Sequence, residues 1–202
     1  MDKAAKLDQR SPTTREAGLS LPLGTVRLKI REFAAGDLDQ LSTFVCDARV
    51  TRFMLQAPRD QGEAAAYLEQ VMGYQRERPR SAWELAVTQN ADGALIGACT
   101  LTLMAAGEAD LGYMLARPAW KRGLATELAC ALLSAGFREL RLRRISSTVD
   151  VRNLASIRVL EKAGLRWEAT YRRLRKVRDE WRDCHVFALS SVEWEALDAA
   201  PG

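Results

Sequence analysis

Residues 111–127 join an apolar run, Leu111-Gly112-Tyr113-Met114-Leu115, to a basic turn, Trp120-Lys121-Arg122-Gly123, and then to a strong helix former starting at Leu124. The first N–H groups of a helix have no intrahelical partners, and the helix dipole adds positive potential there, so such a turn can hold an anion. Gly123 lets the backbone come close to a ligand, and Leu124 and Ala125 begin the helix without bulk. Thr126 can offer a hydroxyl, and Lys121 and Arg122 supply charge. An ordinary strand–turn–helix, with Gly123 only relieving strain, would read the same on this segment alone. The turn matches neither G-x-x-x-x-G-K-S/T nor G-x-G-x-x-G, which makes ATP and NAD poor candidate ligands.

A second stretch, Val149 to Leu165, places Asn153 and Ser156 three residues apart at the start of a helix, on one face, with Ile157 and Leu160 turned inward. Asn153 is also a good helix N-cap. His185 is the only histidine, which argues against a multi-histidine metal site, and no metal is expected. Cys46, Cys99, Cys130 and Cys184 have no ligand-like spacing and read as reduced, mostly buried thiols. Cys184 and His185 are strand neighbours that point to opposite faces, a poor arrangement for a nucleophile and its base.

The elements that must position these residues follow from periodicity. Alternation over Val26–Arg31 predicts a strand, and apolar spacing predicts helices over Asp37–Arg49 and Glu63–Gln75. Strands are expected at Trp83–Thr88, Leu95–Leu103, Asp110–Leu115 and Ile145–Val149, the first two joined at Asn90-Ala91-Asp92-Gly93. Long and short helices are expected over Leu124–Leu140 and Leu154–Lys162, the second stopped by Gly164. Strands near Arg166–Arg175 and Cys184–Leu189 and a short helix at Ser191–Trp194 complete a mixed α/β (α+β) chain. Its 202 residues fit one domain of ordinary size, expected over 24–198 behind a flexible N-terminal leader, 1–23, that has no apolar segment of a signal peptide. With 48% hydrophobic and 28% charged residues and no run long enough to span a bilayer, the expectation is a cytoplasmic protein without a membrane partner. A net charge of +4 favours anionic ligands generally. The basic run Arg166–Arg182 reads either as a solvated hairpin or as a surface docking an acidic partner or RNA, such as a ribosomal particle. It reads as lacking the aromatic interleaving of a single-strand platform, so no direct nucleic-acid reading is expected.

Together, Asp110-Leu111-Gly112-Tyr113 through Thr126-Glu127, then Asn153, Ser156 and Val159-Leu160-Glu161-Lys162-Ala163-Gly164-Leu165, resemble the GNAT family of N-acetyltransferases, in particular its RimJ/RimL-type branch. The likeness runs in order over roughly residues 25–195. It implies a central, mostly antiparallel twisted sheet of about seven strands flanked by helices. It also implies acetyl-coenzyme A as acyl donor, with coenzyme A as product. The amides of Arg122, Gly123, Leu124, Ala125 and Thr126 would hold the pyrophosphate, and the strand through Met114 and Leu115 would hold the pantetheine arm and supply a donor to the thioester oxygen. Asn153 and Ser156 would contact the coenzyme. The implied acceptor is a primary amine, foremost a protein or peptide N-terminus of ribosomal-protein type. A small amine (polyamine, amino acid, aminoglycoside), succinyl-type transfer and a non-catalytic acyl-coenzyme A module are the alternatives. A monomer or homodimer fits equally.

Direct attack on a thioester needs a neutral amine and therefore a base. Glu84, Asp110 and Asp150 are the candidate carboxylates, with Asp110 at the position of the family's E-I-G-Y glutamate. Leu160 stands where many relatives carry a tyrosine that protonates the leaving thiolate, which leaves Ser156 or a water for that task. Tyr113 reads as a core or rim residue. The segments Arg49–Arg59 and Arg76–Trp83, more basic than acidic, are expected to line the acceptor cleft and to disfavour polycations.

Overall fold

The computed structural model describes residues 18–105 and 107–199. Residues 1–17 of the expected leader lie outside the described residues. Of its remainder, Leu19, Leu21 and Leu23 pack against the main core, and the Ser20 N–H donates to Glu139 Oε2 at 2.6 Å.

One sheet of eight strands runs β1(Leu23–Gly24), β2(Leu28–Arg31), β3(Ala82–Gln89), β4(Leu95–Ala105), β5(Glu108–Leu115), β6(Arg144–Asp150), β8(Glu180–Ser190), β7(Arg166–Val177) in spatial order. Every pair is antiparallel except β5 with β6. The strand beyond the seven expected is two-residue β1, which pairs Leu23 with Ile30. β2 begins at Leu28 rather than Val26 because Thr25 turns the chain: its N–H donates to Leu28 O and its Oγ1 accepts from Leu28 N–H. That leaves Val26 91% exposed.

Helices cover both faces. α1(Leu38–Val45) and α2(Gln61–Tyr74) bury Leu41, Phe44, Val45, Ala64, Leu68 and Val71 against Phe33, Ala86, Leu95 and Ala98. α1 stops four residues before Arg49, where the Asp47 carboxylate accepts the Arg49 N–H at 2.8 Å in place of helix propagation. On the opposite face α3(Leu124–Arg138) and α4(Leu154–Lys162) pack Leu124, Leu128, Leu132, Leu133 and Leu160 onto Leu85, Leu101, Leu111 and Ile145. α5(Ser191–Asp198) follows β8, with Ser190 and Glu193 forming a reciprocal capping box. The β7–β8 turn is tighter than expected: Arg178 and Asp179, at φ 49° and 65°, close a two-residue hairpin. Among the described residues no helix is long and apolar enough to cross a membrane.

The break in the sheet is what builds the site. β5 and β6 are eight and seven residues long, yet they pair only at Glu108↔Arg144, Ala109↔Ile145 and Asp110↔Ser146. Beyond Asp110 they diverge, because β5 leads through a short 3-10 turn (Arg117–Ala119) into α3 while β6 turns at Asp150 toward α4.

Candidate active site

The V opened by β5 and β6 ends at the N-terminus of α3. Gly123 caps that helix in the left-handed region, φ 75°, and no side chain caps it. The first helical bond is Glu127 N–H to Gly123 O at 3.1 Å, so the amides of Gly123, Leu124, Ala125 and Thr126 precede the intrahelical ladder. Arg122, Gly123 and Lys121 are exposed, whereas the Leu124 side chain is buried and contributes to the outside only through its backbone. The turn is braced by the segment leading into β2. Arg27 Nη1 donates to Arg122 O at 2.8 Å, while its Nε reaches Glu127 Oε2 at 2.6 Å, and Thr25 Oγ1 donates to Glu127 Oε1 at 2.6 Å. Trp120 Nε1 donates to Leu115 O at 2.6 Å and ties the turn to the end of β5.

The open edge of β5 has a definite set of donors. Ala116 N–H bonds Ile96 O on the β4 side, whereas Leu115 O is taken from the opposite side by Trp120. The unbroken register of β4 with β5 over Gly97↔Leu115 to Leu103↔Ala109 then turns Met114 N–H toward β4 and those of Tyr113 and Leu115 into the V. Met114 contributes its side chain instead, lining a cavity on the α1–α2 face.

That cavity, about 650 Å³, is walled by Val45, Met54, Ala57, Pro58, Ala66, Ala98 and Met114, with Tyr67, Gln70, Tyr74, Glu63, Thr51, Gln56 and Thr100 supplying polar groups. Glu84 also lines it. Glu84, Thr100 and Gly112 are cross-strand partners in one row, so they share a face. A Cβ on Gly112 would lie 2.6 Å from Thr100 Oγ1, so glycine keeps the space between them open. Glu84 Oε2 is buried and has no hydrogen-bond partner among the described residues. Burial raises the Glu84 pKa above the usual carboxylate value, and the Tyr67 hydroxyl beside it draws it part-way back. The segment Arg49–Arg59 borders the cavity through Thr51, Met54, Gln56, Ala57 and Pro58, but no arginine of it does. Arg76–Trp83 does not border it. Arg80 there is bound to Glu32 and lies over the Trp83 ring.

Asp110 sits one row below Glu84, in register with Thr102 and, across the fork, with Ser146. Burial pushes its pKa up from 3.8 to about 6 even though Arg175 pulls the other way. Asp150 differs. Burial would raise it, but Arg152 donates Nε to Oδ1 at 3.0 Å and Nη2 to Oδ2 at 2.9 Å, and the net result is a lowered pKa. An ionised, doubly bonded carboxylate is a poor proton acceptor.

At the start of α4, Asn153 Oδ1 accepts Ser156 N–H at 3.3 Å and Asn153 Nδ2 donates to Ser156 Oγ at 3.0 Å, which makes the pair a helix cap with its second amide hydrogen unused by either bond. Beside them lies Tyr113, expected only as a core or rim residue. Its Oη is buried without a hydrogen-bond partner of good geometry, its pKa raised by burial and drawn back by the nearby Ser156 hydroxyl. Leu160 is 1% exposed and belongs to the core. His185 Nδ1 lies 2.8 Å from Thr170 Oγ1, and burial raises the Cys184 thiol's pKa, so neither is set up as half of a nucleophile–base pair. Cys99 and Cys184 are buried, but Cys46 is intermediate and Cys130 exposed, so only half of the thiols match the expected burial. The basic run is also less free of aromatics than expected: Trp167, Tyr171 and Trp181 are all more than half exposed on the β7–β8 hairpin. Tyr171 pairs with Cys184, whereas Trp167 and Trp181 pair with Phe187 and Lys176, which divides them between the two faces rather than forming one stacking surface.

A family model described as an acetyltransferase (GNAT) domain matches residues 27–166. The chain is 28% identical over 175 residues to "Uncharacterized N-acetyltransferase p20" of Bacillus licheniformis, covering 85% of this chain and 97% of that one. Two solved structures share the fold: Mycobacterium smegmatis RimJ in complex with CoA-disulfide (TM-score 0.72, 20% identity, 88% of this chain and 91% of that one), and ribosomal-protein-S5-alanine acetyltransferase from Vibrio fischeri (TM-score 0.72, 15% identity, 85% and 97%).

Proposed function

The chain belongs to the GNAT acetyltransferase family, and we propose that it transfers an acetyl group from acetyl-coenzyme A to the N-terminal α-amine of a protein or peptide. The observation that carries this reading is the buried, unpartnered Glu84 Oε2 in a cavity beside the opening between β5 and β6. The residues present fit coenzyme A: uncapped amides stand at one end of the V and free strand donors along it. The amides of Arg122, Gly123, Leu124, Ala125 and Thr126 would hold its pyrophosphate, and Tyr113 and Leu115 N–H would meet the pantetheine arm and the thioester oxygen. Asn153 and Ser156 would close the coenzyme in from α4. When bound, coenzyme A supplies the acetyl group as an activated thioester.

Glu84 accepts the proton of the attacking amine. Burial raises its pKa, which makes it a stronger proton acceptor than an exposed carboxylate. An α-amine, with a pKa of about 8, is about one-tenth neutral at pH 7, while a lysine amine is under about one-thousandth neutral, so a single carboxylate base serves the former far better. Tyr113 Oη and Ser156 Oγ hold the proton that the departing sulfur requires, and the raised phenol pKa keeps Tyr113 protonated. Asp110, at the fork, is the second carboxyl of the site. The apolar walls and the absence of an acid cluster among the described cavity residues weigh against polycations. The name of one fold neighbour, a ribosomal-protein-S5-alanine acetyltransferase, supports a protein acceptor. A cytoplasmic location accords with this reading.

Thiol release from acetyl-coenzyme A across a panel of N-terminal peptides and small amines tests the proposal. Turnover with peptides bearing a free α-amine, and none with their Nα-blocked forms, is expected. Turnover confined to polyamines or aminoglycosides would overturn the acceptor class, and none with any amine despite tight coenzyme binding would leave a non-catalytic module.

A further inference from the structure

Register carries the cleft face of the sheet from Glu84 across to the β7–β8 hairpin. Asp110 pairs with Ser146, and Asp150 lies on the same face of β6 four residues on. Asp150 pairs with Cys184, Arg182 is two residues from Cys184 on the same face, and Arg182 pairs with Arg175. Arg175 and Arg182 are therefore cross-strand partners on the face that holds Glu84 and Asp110. The Arg175 charge reaches both Asp110 and Cys184, in keeping with a side chain that folds over this face.

Arg182 is unusual for an arginine. Its side chain is only 13% exposed, its Nη2 meets Glu180 Oε2 at 2.7 Å, and its Nε is buried with no acceptor among the described residues. An N–H of a charged group left buried without an acceptor costs more than a neutral one, and a carboxylate oxygen of a substrate would satisfy it. The local carboxylates do not balance the cations. Asp150 is taken by Arg152, Glu180 is 66% exposed, Asp110 offsets one charge through Arg175, and Arg52 adds its own near Asp150. Two guanidinium groups in register are suited to a carboxylate, which they can grip through several N–H donors at once.

We infer that Arg175 and Arg182 bind a carboxylate of the acceptor, so that the preferred substrate is a peptide with an aspartate or glutamate close behind its N-terminal residue. This rests on the peptide acceptor proposed above. It adds that the cleft has two poles: a base for the amine at Glu84 and a cationic pair for an acidic side chain across the fork.

The test compares kcat/KM for peptides identical except for Asp, Asn or Lys at positions two to four, with the wild-type protein and the variants Arg175→Gln, Arg182→Gln and Arg175→Glu. The wild type is expected to favour the Asp peptide over its Asn twin by about tenfold or more, and each Gln variant to lose most of that ratio. Losing Arg175 also raises the Asp110 pKa, but that affects every peptide alike and cancels in the ratio. Should Arg182→Gln, at the more buried site, fold poorly, Arg175→Gln alone decides the ratio. Arg175→Glu is expected to invert the ranking toward the Lys peptide, a gain that misfolding cannot produce. Equal rates with Asp and Asn peptides, or an unchanged ratio in the folded Gln variants, would overturn the inference while leaving peptide acetylation intact. No turnover with any peptide, or free amino acids preferred to all of them, would overturn both.

Discussion

Replacing Asp110 by asparagine should make the protein more stable, and by an amount that depends on pH. Asp110 is held mostly out of water and its pKa rises from 3.8 to about 6. At about 1.4 kcal/mol for each tenfold in proton affinity, keeping it ionised in the fold costs about 3 kcal/mol. The sign follows from proton binding. Between those two values the folded protein binds the proton more tightly than the unfolded chain, so stability from this group is fully present below pH 3.8 and is lost as pH rises through about 6. An asparagine in its place would not ionise at any pH. Urea unfolding followed by tryptophan fluorescence should therefore show Asp110→Asn close to the wild type at about pH 4 and more stable at about pH 8, by up to about 3 kcal/mol. For a domain of this size each kcal/mol corresponds to about 2–4 °C in Tm. A variant equally or less stable than the wild type at the higher pH would refute the claim that the fold holds this carboxyl against its solvation.

Other substitutions probe separate parts of the site. Gly112→Ala puts a Cβ 2.6 Å from Thr100 Oγ1 and into the space beside Glu84, so steady-state kinetics should show KM for the amine rising while coenzyme affinity, read by titration calorimetry, stays unchanged. Gly123→Ala places a side chain at φ 75°, and should cost about 1–3 kcal/mol in thermal unfolding and weaken coenzyme A binding together, because the strained residue sets the α3 amides. Tyr113→Phe removes the buried hydroxyl but keeps the ring, so kcat should fall with little change in KM and the loss should shrink for donors with a more acidic thiol. Equal losses for all thiols would assign Tyr113 to packing.

What is legible in the sequence rests on local signals. The basic turn at Gly123 announces an uncapped helix start, and α4 occupies Leu154–Lys162 as expected because Asn153 and Gly164 mark both its ends. Cys184 and His185 fall on opposite faces because strand periodicity is local. The rest needs long-range register. The divergence of β5 from β6 after Asp110 depends on where two distant turns send the chain, and it decides that Tyr113 and Leu115, not Met114, face the opening. The Tyr113 phenol lacks a sequence signal of its own, since an aromatic in a strand is ordinary until the helix above it leaves the hydroxyl without a partner. Arg175 and Arg182 belong to a basic run, and only their pairing across a β-bulge separates them from their solvated neighbours. Charge alone points Arg76–Trp83 toward the cleft, but Arg80 is committed to Glu32 and Trp83.

The central claim is that Glu84 deprotonates an N-terminal amine for attack on acetyl-coenzyme A. Mass spectrometry of a peptide carrying both a free α-amine and a lysine, after incubation with acetyl-coenzyme A and either the wild type or Glu84→Gln, tests it directly. One acetyl group is expected on the α-amine and none on the lysine, with a rate lowered by about a hundredfold or more in the variant at unchanged coenzyme affinity. Acetylation of the lysine instead, or a Glu84→Gln variant as fast as the wild type, would contradict it.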